Sequence, residues 1–466
     1  MSERPDAATL REAILAARLE TSNHGEQVTP ETLYIPLSHL KALKLDAHVV
    51  VGGRGVGKSF WTAALQTEAL RSTLRGTLQE LNDVVIRIGF GTTDSNEYPN
   101  PDSFKLLLEE GREPYDIWRA VILRWVAERN GASLPTQTWG ATVDWLKQQP
   151  EQAVRLMQEP RDWRGMIVFD ALDRTSDDWR QMDDIVRGLL RTALWLKAQS
   201  GLYAKVFLRE DQAERTVFNF PDASKLLADR ADLVWVRHDL HGLLWQRLIN
   251  APEEHGERMR SICQSIRHDR LWNLPIDMKR ESDVQRQTFH QLTGPWMGTD
   301  KRRGVPYVWA VGHLADGRGQ TSPRSFLAAI RQAADDSRER YPSYDYALHY
   351  ESIKRGIQQA SAIRVDEVAE DYPWVRTLLS PLRGMNVPCA YEDILERWRS
   401  DFPKGPKEVH SRKLPVQHVE RGWDGIRDDL QRLGLIEIKK DGRIDMPDLY
   451  RVGFSLGRRG GVQPKG

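Results

Sequence analysis

The sequence predicts an α/β fold: a doubly wound parallel sheet, then a helical region, then a small C-terminal winged-helix domain. Three observations predict it. Short runs of Val, Ile and Phe recur between segments whose apolar residues stand three and four apart, the alternation that builds a parallel sheet covered by helices on both faces. One such run, residues 47–51, breaks directly into the glycines of GGRGVGKS and then into a helical pattern. Near the C-terminus, three helical segments precede two short strands joined at Asp441-Gly442, a strong turn signal.

Taken in order, residues 47–51 read as a buried strand and SFWTAALQTEALRSTL, from Ser59, as a helix. Residues 83–90 (DVVIRIGF) are a second strand, and TTDSNEYPNPDS is a loop on the ligand edge of the sheet. YDIWRAVILRWVAERNG follows as an amphipathic helix ended by Gly131. GMIVFDALDR gives a strand over 166–169 that ends in acid. A long helix over 179–199 leads to the strand AKVFLRED, and DLVWVRHDL is the last strand candidate, preceded by Arg230. In the final third, YPWVRTLLSPLRG, AYEDILERWRSD and VERGWDGIRDDLQRLGL are the three helices and LIEIKKDGRIDMP the hairpin.

Composition narrows the function classes. At 466 residues the chain exceeds one ordinary core and divides into two or three domains. Lys and Arg total 67 against 66 Asp and Glu, so no global field attracts nucleic acid, and any such binding is local. Cys263 and Cys389 have no CxxC or Cys/His companions, which argues against disulfide frameworks and zinc sites and for a reducing cytoplasm. No run approaches the roughly 20 apolar residues of a membrane helix, and the N-terminus reads as unprocessed, with no membrane partner expected. The 16 tryptophans have no common spacing and read as core anchors.

The glycines at the first strand's end match G-x-x-x-x-G-K-[ST] in full: Gly52, Gly53, Arg54, Gly55, Val56, Gly57, Lys58 and Ser59, with Phe60 next. Backbone N–H groups that wrap a triphosphate need positive φ and no Cβ, which glycine supplies. Lys58 then meets the β- and γ-phosphates, Ser59 ligates Mg²⁺, and the helix dipole adds to the same site. The dinucleotide spacing G-x-G-x-x-G is absent, since Gly53, Gly55 and Gly57 are spaced GxGxG. Asp170, at the end of the strand 166–169, is placed to hold Mg²⁺ through water, and Asp173 to orient the attacking water as general base. Such carboxylates also cap turns or form ion pairs. A polar residue at the position of Arg209 reaches the γ-phosphate.

GGRGVGKS, VFDALDR and VFLRED together resemble the additional-strand P-loop ATPases of the AAA+ and STAND/KAP group. The resemblance covers about residues 32–340, and the two Walker motifs are its specific part. It implies ATP and Mg²⁺ as cofactors, a sensor-1 role for Arg209, and an arginine finger reaching a neighbouring subunit at Arg230, a position that equally suits a surface arginine capping a helix. Arg324 in GQTSPRSFLAAIRQA takes the place of a sensor-2 arginine in a helical lid, although Ser322 and Pro323 are also ordinary helix-start residues. The expected domains are an N-terminal helical segment at 1–31, a P-loop ATPase core at 32–238, a lid at 239–350 and a winged helix with a basic tail at 351–466. The segment 252–306 matches no lid pattern.

The expected function is an ATP-driven switch that couples nucleotide state to homo-oligomerisation or to a protein partner supplying the output, with bacterial defence or signalling as its setting. The alternative is an AAA+ ATPase that loads on duplex DNA through its winged helix. Nine basic positions serve that alternative: Lys404, Lys407, Arg412, Lys413, Lys439, Lys440, Arg443, Arg458 and Arg459. Against it, the third helix mixes Asp424, Asp428 and Asp429 with Arg427 and Arg432. A small-molecule kinase finds no acceptor-site signature.

Overall fold

A computed structural model describes residues 6–19, 28–74, 76, 78–93, 95–268, 271–459 and 462–464. Parts of the expected N-terminal helical segment, Asp94 of the edge loop, residues 269–270 and the end of the basic tail lie outside the described residues. The chain forms two compact units, one spanning residues 37–234 and one made of the residues on either side of that span.

The unit 37–234 is built on five parallel strands: β1 (Val49–Val51), β2 (Val84–Phe90), β3 (Arg164–Phe169), β4 (Leu202–Leu208) and β5 (Ala231–Asp232), in the spatial order β2-β3-β4-β1-β5. Val49, Val50 and Val51 pair with Val206, Phe207 and Leu208 on one side, and Val50 and Val51 with Ala231 and Asp232 on the other. All three valines are buried, as a strand covered on both faces requires. The crossover from β1 runs past β4 and β3 to the far edge at β2, whereas β2, β3 and β4 then return in sequence. Right-handed crossovers in opposite directions put helix Lys58–Gln66 on one face and helices Pro114–Arg129 and Trp179–Lys197 on the other.

Three expectations need correction. The helix after the glycines ends at Gln66 and restarts at Glu68, with Thr67 extended between them at φ −86°, ψ 116°. Helix Pro114–Arg129 is not amphipathic: Ile117, Trp118, Val121, Ile122, Leu123 and Val126 are all buried. Helices Trp139–Gln148 and Pro150–Gln158 pack against it, the first where Arg124 Nε donates to Thr142 Oγ1 at 2.8 Å. The segment 232–240 is strand only at Asp232, and helix Arg237–Ile249 begins within it. Its alternation is shorter than the helical series Leu240, Leu243, Leu244 and Leu248, which buries the later part.

The carboxyl ends of β2 and β3 rest on an aromatic cluster. Trp118 meets Phe90 at 5.7 Å and Phe169 at 5.4 Å, edge to face, and Phe104 at 4.7 Å. Its indole Nε1 donates to Ile185 O at 3.1 Å, which ties helix Pro114–Arg129 to helix Trp179–Lys197. The sheet also encloses a lysine: Lys205 in β4 is fully buried and donates from Nζ to Ala42 O, Lys44 O and Ala47 O at 2.7, 2.8 and 2.9 Å. Burial lowers its pKa to about 7.

In the other unit, helices Pro323–Arg340 and Tyr350–Asp371 cross so closely that a Cβ on Gly356 would stand 2.2 Å from Ala329 O. Helix Ala7–Ala16 joins them through Arg11, whose Nε donates to Ala347 O at 2.9 Å. The segment 252–306 contains helix Glu253–Cys263, an antiparallel pair β6 (Ile266–His268) and β7 (Leu271–Asn273), and helix Ser282–Thr293. The chain ends with helices Pro373–Leu379, Tyr391–Asp401 and Gly422–Arg432, then a hairpin of β8 (Glu437–Ile438) and β9 (Ile444–Asp445) turning at Gly442 with φ +82°. Among the described residues no helix is long and apolar enough to cross a membrane.

Candidate nucleotide site

Two causes act among the glycines that follow β1, backbone angle and lack of room. Gly55 and Gly57 stand at φ +77° and +106°, in the left-handed region that side chains disfavour. Gly52 has no such angle but no room: a Cβ there would sit 2.7 Å from Val56 Cγ2 and 3.1 Å from Leu233 Cβ. A Cβ on Gly53 would meet only ordinary contacts. Val56 is buried beneath the loop and anchors it, while Arg54 is half-buried. Phe60 packs edge-on against Trp61 at 5.3 Å.

Helix Lys58–Gln66 starts inside this loop, so Lys58 and Ser59 hold its first two positions. Lys58 Nζ donates to Gly52 O and Gly53 O, both at 2.8 Å, and thereby closes the loop on itself. Desolvation lowers the lysine pKa to about 8, against the opposing pull of Asp170. The Ser59 residue is exposed at the second position of the helix.

Asp170 follows β3 directly and is 3% exposed. Burial raises its pKa, while the Lys58 charge and the Ser59 hydroxyl pull it back down. Thr62, one turn beyond Lys58 on the same helix face, donates to Asp170 Oδ2 at 3.4 Å. Sequence reasoning missed Thr62, although its i+4 spacing from the lysine was available to find it. Ala171 then turns the chain at φ +57°, ψ 36°, a left-handed geometry costing a non-glycine residue about 1–2 kcal/mol. The short turn Leu172–Arg174 that follows carries Asp173.

Arg209 ends β4, which lies between β1 and β3, and so stands between the lysine and the acids. Its Nη1 is 3.8 Å from Asp173 Oδ2, and its Nε and Nη2 donate to Asp211 Oδ1 and Oδ2 at 3.2 and 3.0 Å. Neither Asp211 nor Gln212, whose Oε1 accepts from Arg209 N at 3.0 Å, was anticipated. Gly53 through Ser59, Asp170, Asp173 and Arg209 therefore gather at the carboxyl ends of three adjacent strands, where ligands of open α/β sheets bind.

The remaining two arginines are each held by a carboxylate of their own unit. Arg230 precedes β5, and its Nε and Nη2 both donate to the single oxygen Asp232 Oδ1, at 3.1 and 2.8 Å. Arg324 belongs to the other unit. There it follows the Ser322 N-cap and Pro323, and its Nη1 lies 2.7 Å from Oε1 of the buried Glu367, which Arg364 also holds at 3.2 Å.

The donors fit a hard divalent cation. The exposed Ser59 hydroxyl and the buried Asp170 carboxylate are both oxygen donors, and Mg²⁺ takes one or two carboxylates with water and phosphate oxygens rather than a protein cage. Accordingly, no cluster of three or more His, Cys, Asp or Glu among the described residues has metal-holding geometry.

No protein-family model matches the chain, and no curated protein matches it. Among solved structures it is similar to Aeropyrum pernix ORC2 in ADPNP-ADP complexes, at 12% identity and a TM-score of 0.40, covering 86% of this chain and 84% of that one. It is similar also to Drosophila ORC bound to DNA, at 12% identity and a TM-score of 0.34, covering 96% and 92%.

Proposed function

We propose that the chain binds and hydrolyses ATP with Mg²⁺ at the ends of β1, β3 and β4, and that nucleotide state sets its assembly or its hold on a partner. The observation that carries this reading is the hydrogen bond of Thr62 to Asp170, one turn beyond Lys58, which brings the helix of the glycine loop and the acid-ended strand to one point. The interposed β4 agrees with the additional-strand group that the motifs resemble. Gly52 to Phe60 wrap the phosphates with main-chain N–H groups, and Lys58 exchanges its two carbonyl partners for β- and γ-phosphate oxygens. Ser59 and Asp170 hold the cation, which when bound neutralises charge developing on the transferred phosphoryl group. Asp173 orients water and accepts its proton, and Arg209 donates to the terminal phosphate. Lys58→Ala should abolish nucleotide binding, whereas Asp173→Ala should bind ATP and fail to turn it over. Unchanged hydrolysis in the second variant removes Asp173 from the role of base.

The C-terminal helices and hairpin, which we take as a winged helix, support a protein-facing switch. The third helix spends its charge on itself: Arg427 pairs with Asp424 and Asp428, Arg432 with Asp429, and the buried Asp429 accepts from Gln417 N and His418 N. In the wing, Lys439 pairs with Glu437 and Asp445, Arg443 with Asp441, and Arg458 with Asp445. Lys413 donates to Glu370 O. A second reading, duplex-DNA binding, is favoured by Lys404, Lys407, Arg412, Lys440 and Arg459, which are exposed and make no ion pair among the described residues. Five phosphate contacts give a log–log salt slope near about −4.5. Size-exclusion with light scattering in apo, ADP and non-hydrolysable ATP states, with and without duplex DNA, separates the two. Nucleotide-dependent assembly without DNA supports the switch, and salt-sensitive co-elution with DNA supports the loader.

A further inference from the structure

The nucleotide site holds an acid that the proposed chemistry does not use. Asp211 has only 7% of its side chain exposed and lies within electrostatic reach of Lys58, where a carboxylate opposes binding of a polyanion. It grips Arg209, itself 13% exposed, along the Nε–Nη2 edge in two bonds of 3.2 and 3.0 Å. Arg209 N is tied in turn to Gln212 Oε1 at 3.0 Å. A guanidinium held on one edge by a carboxylate cannot swing without losing both bonds, so the direction of its opposite corner is fixed. That corner is Nη1, and it is the atom 3.8 Å from Asp173.

The geometry points to Asp211 as a positioning residue that aims Nη1 of Arg209 at the terminal phosphate of the nucleotide and thereby sets the turnover rate. The inference rests on the nucleotide reading above and names a determinant of that site's rate. ADP lacks the phosphate in question, so its binding is indifferent to the clamp. Lysine cannot replace the arginine, because one ammonium offers no fork for the carboxylate to hold.

The test measures ATPase kcat and KM, together with affinity for a fluorescent ADP analogue, in wild type, Asp211→Asn, Asp211→Glu, Arg209→Lys and the double variant Asp211→Asn/Arg209→Lys. Asp211→Asn should lower kcat by about tenfold to a hundredfold, the scale of a misaimed group, with ADP affinity no weaker than in wild type, since the variant also removes a negative charge from the site. Asp211→Glu, which keeps the charge and displaces it by one methylene, should fall between wild type and Asp211→Asn. The double variant should be no slower than Arg209→Lys, since the clamp then has nothing to aim. Wild-type kcat in Asp211→Asn, or a double variant that loses the product of the two single effects, overturns the inference. If Asp211→Asn does not fold by circular dichroism, Asp211→Glu decides: lowered kcat with intact ADP affinity supports the clamp, and wild-type kcat overturns it. A wild-type chain that neither binds ADP nor hydrolyses ATP overturns the nucleotide reading itself, a result distinct from unchanged turnover in an active enzyme.

Discussion

If the proposed nucleotide site is correct, Lys58 makes its affinity depend on pH in a direction set by the structure. Desolvation holds its pKa at about 8 while Nζ is bonded to Gly52 O and Gly53 O. A bound triphosphate stabilises the ammonium and returns the pKa at least to the ordinary lysine value, so binding takes up a proton wherever the free site has lost one. Affinity is therefore greatest below pH 8 and falls as pH rises through it. With a free-site value of about 8 and a bound value of about 10.4, the dissociation constant rises about 25-fold between pH 7 and pH 9.5. The second ionisation of a phosphate group lies near pH 6, below this window. Equilibrium titration of a fluorescent ADP analogue at fixed Mg²⁺ and ionic strength, in half-unit steps, gives the profile. Lys58→Arg, whose guanidinium stays charged throughout, should bind more weakly and show a flat curve. A flat wild-type curve, or an equal slope in Lys58→Arg, refutes the assignment of the titration to this lysine.

Three further perturbations bear on the same unit. Gly57→Ala, at φ +106°, should cost about 1–2 kcal/mol and weaken ADP binding about tenfold, measured by the same titration. Arg230→Ala frees Asp232 and should leave turnover unchanged in dilute monomer while lowering it at concentrations where subunits assemble; an effect in the monomer excludes a finger acting on a neighbour. Lys205→Met strands three carbonyl groups, recovers the cost of a buried charge, and should lower stability by about 2–4 kcal/mol in urea denaturation without changing ADP affinity per folded molecule.

What the sequence made legible is what local chemistry dictates. A glycine at positive φ and a lysine beginning a helix are consequences of neighbouring residues, so the loop from Gly52 to Ser59 could be placed from its own spelling, as could the acid ending β3 and the turn at Asp441-Gly442. The helix Pro114–Arg129 could not, because it packs against helices arriving later in the chain, and no window of its own residues contains them. The same holds for 232–240, where alternation fits a strand and only the leucines beyond decide for a helix. Lys205 is the extreme case: nothing near it in sequence announces a fully buried cation, since its acceptors lie about 160 residues earlier. Asp211 differs in kind. It stands two residues from the arginine it clamps, yet a carboxylate beside a phosphate site looks wrong by charge alone. Only the bidentate geometry shows that its partner is the cation rather than the ligand. Motifs thus point to the groups proposed to touch phosphate, whereas the residue proposed to orient one of them is read from distances, and for that reason substitutions at Asp211 test the proposed function more sharply than another at Lys58.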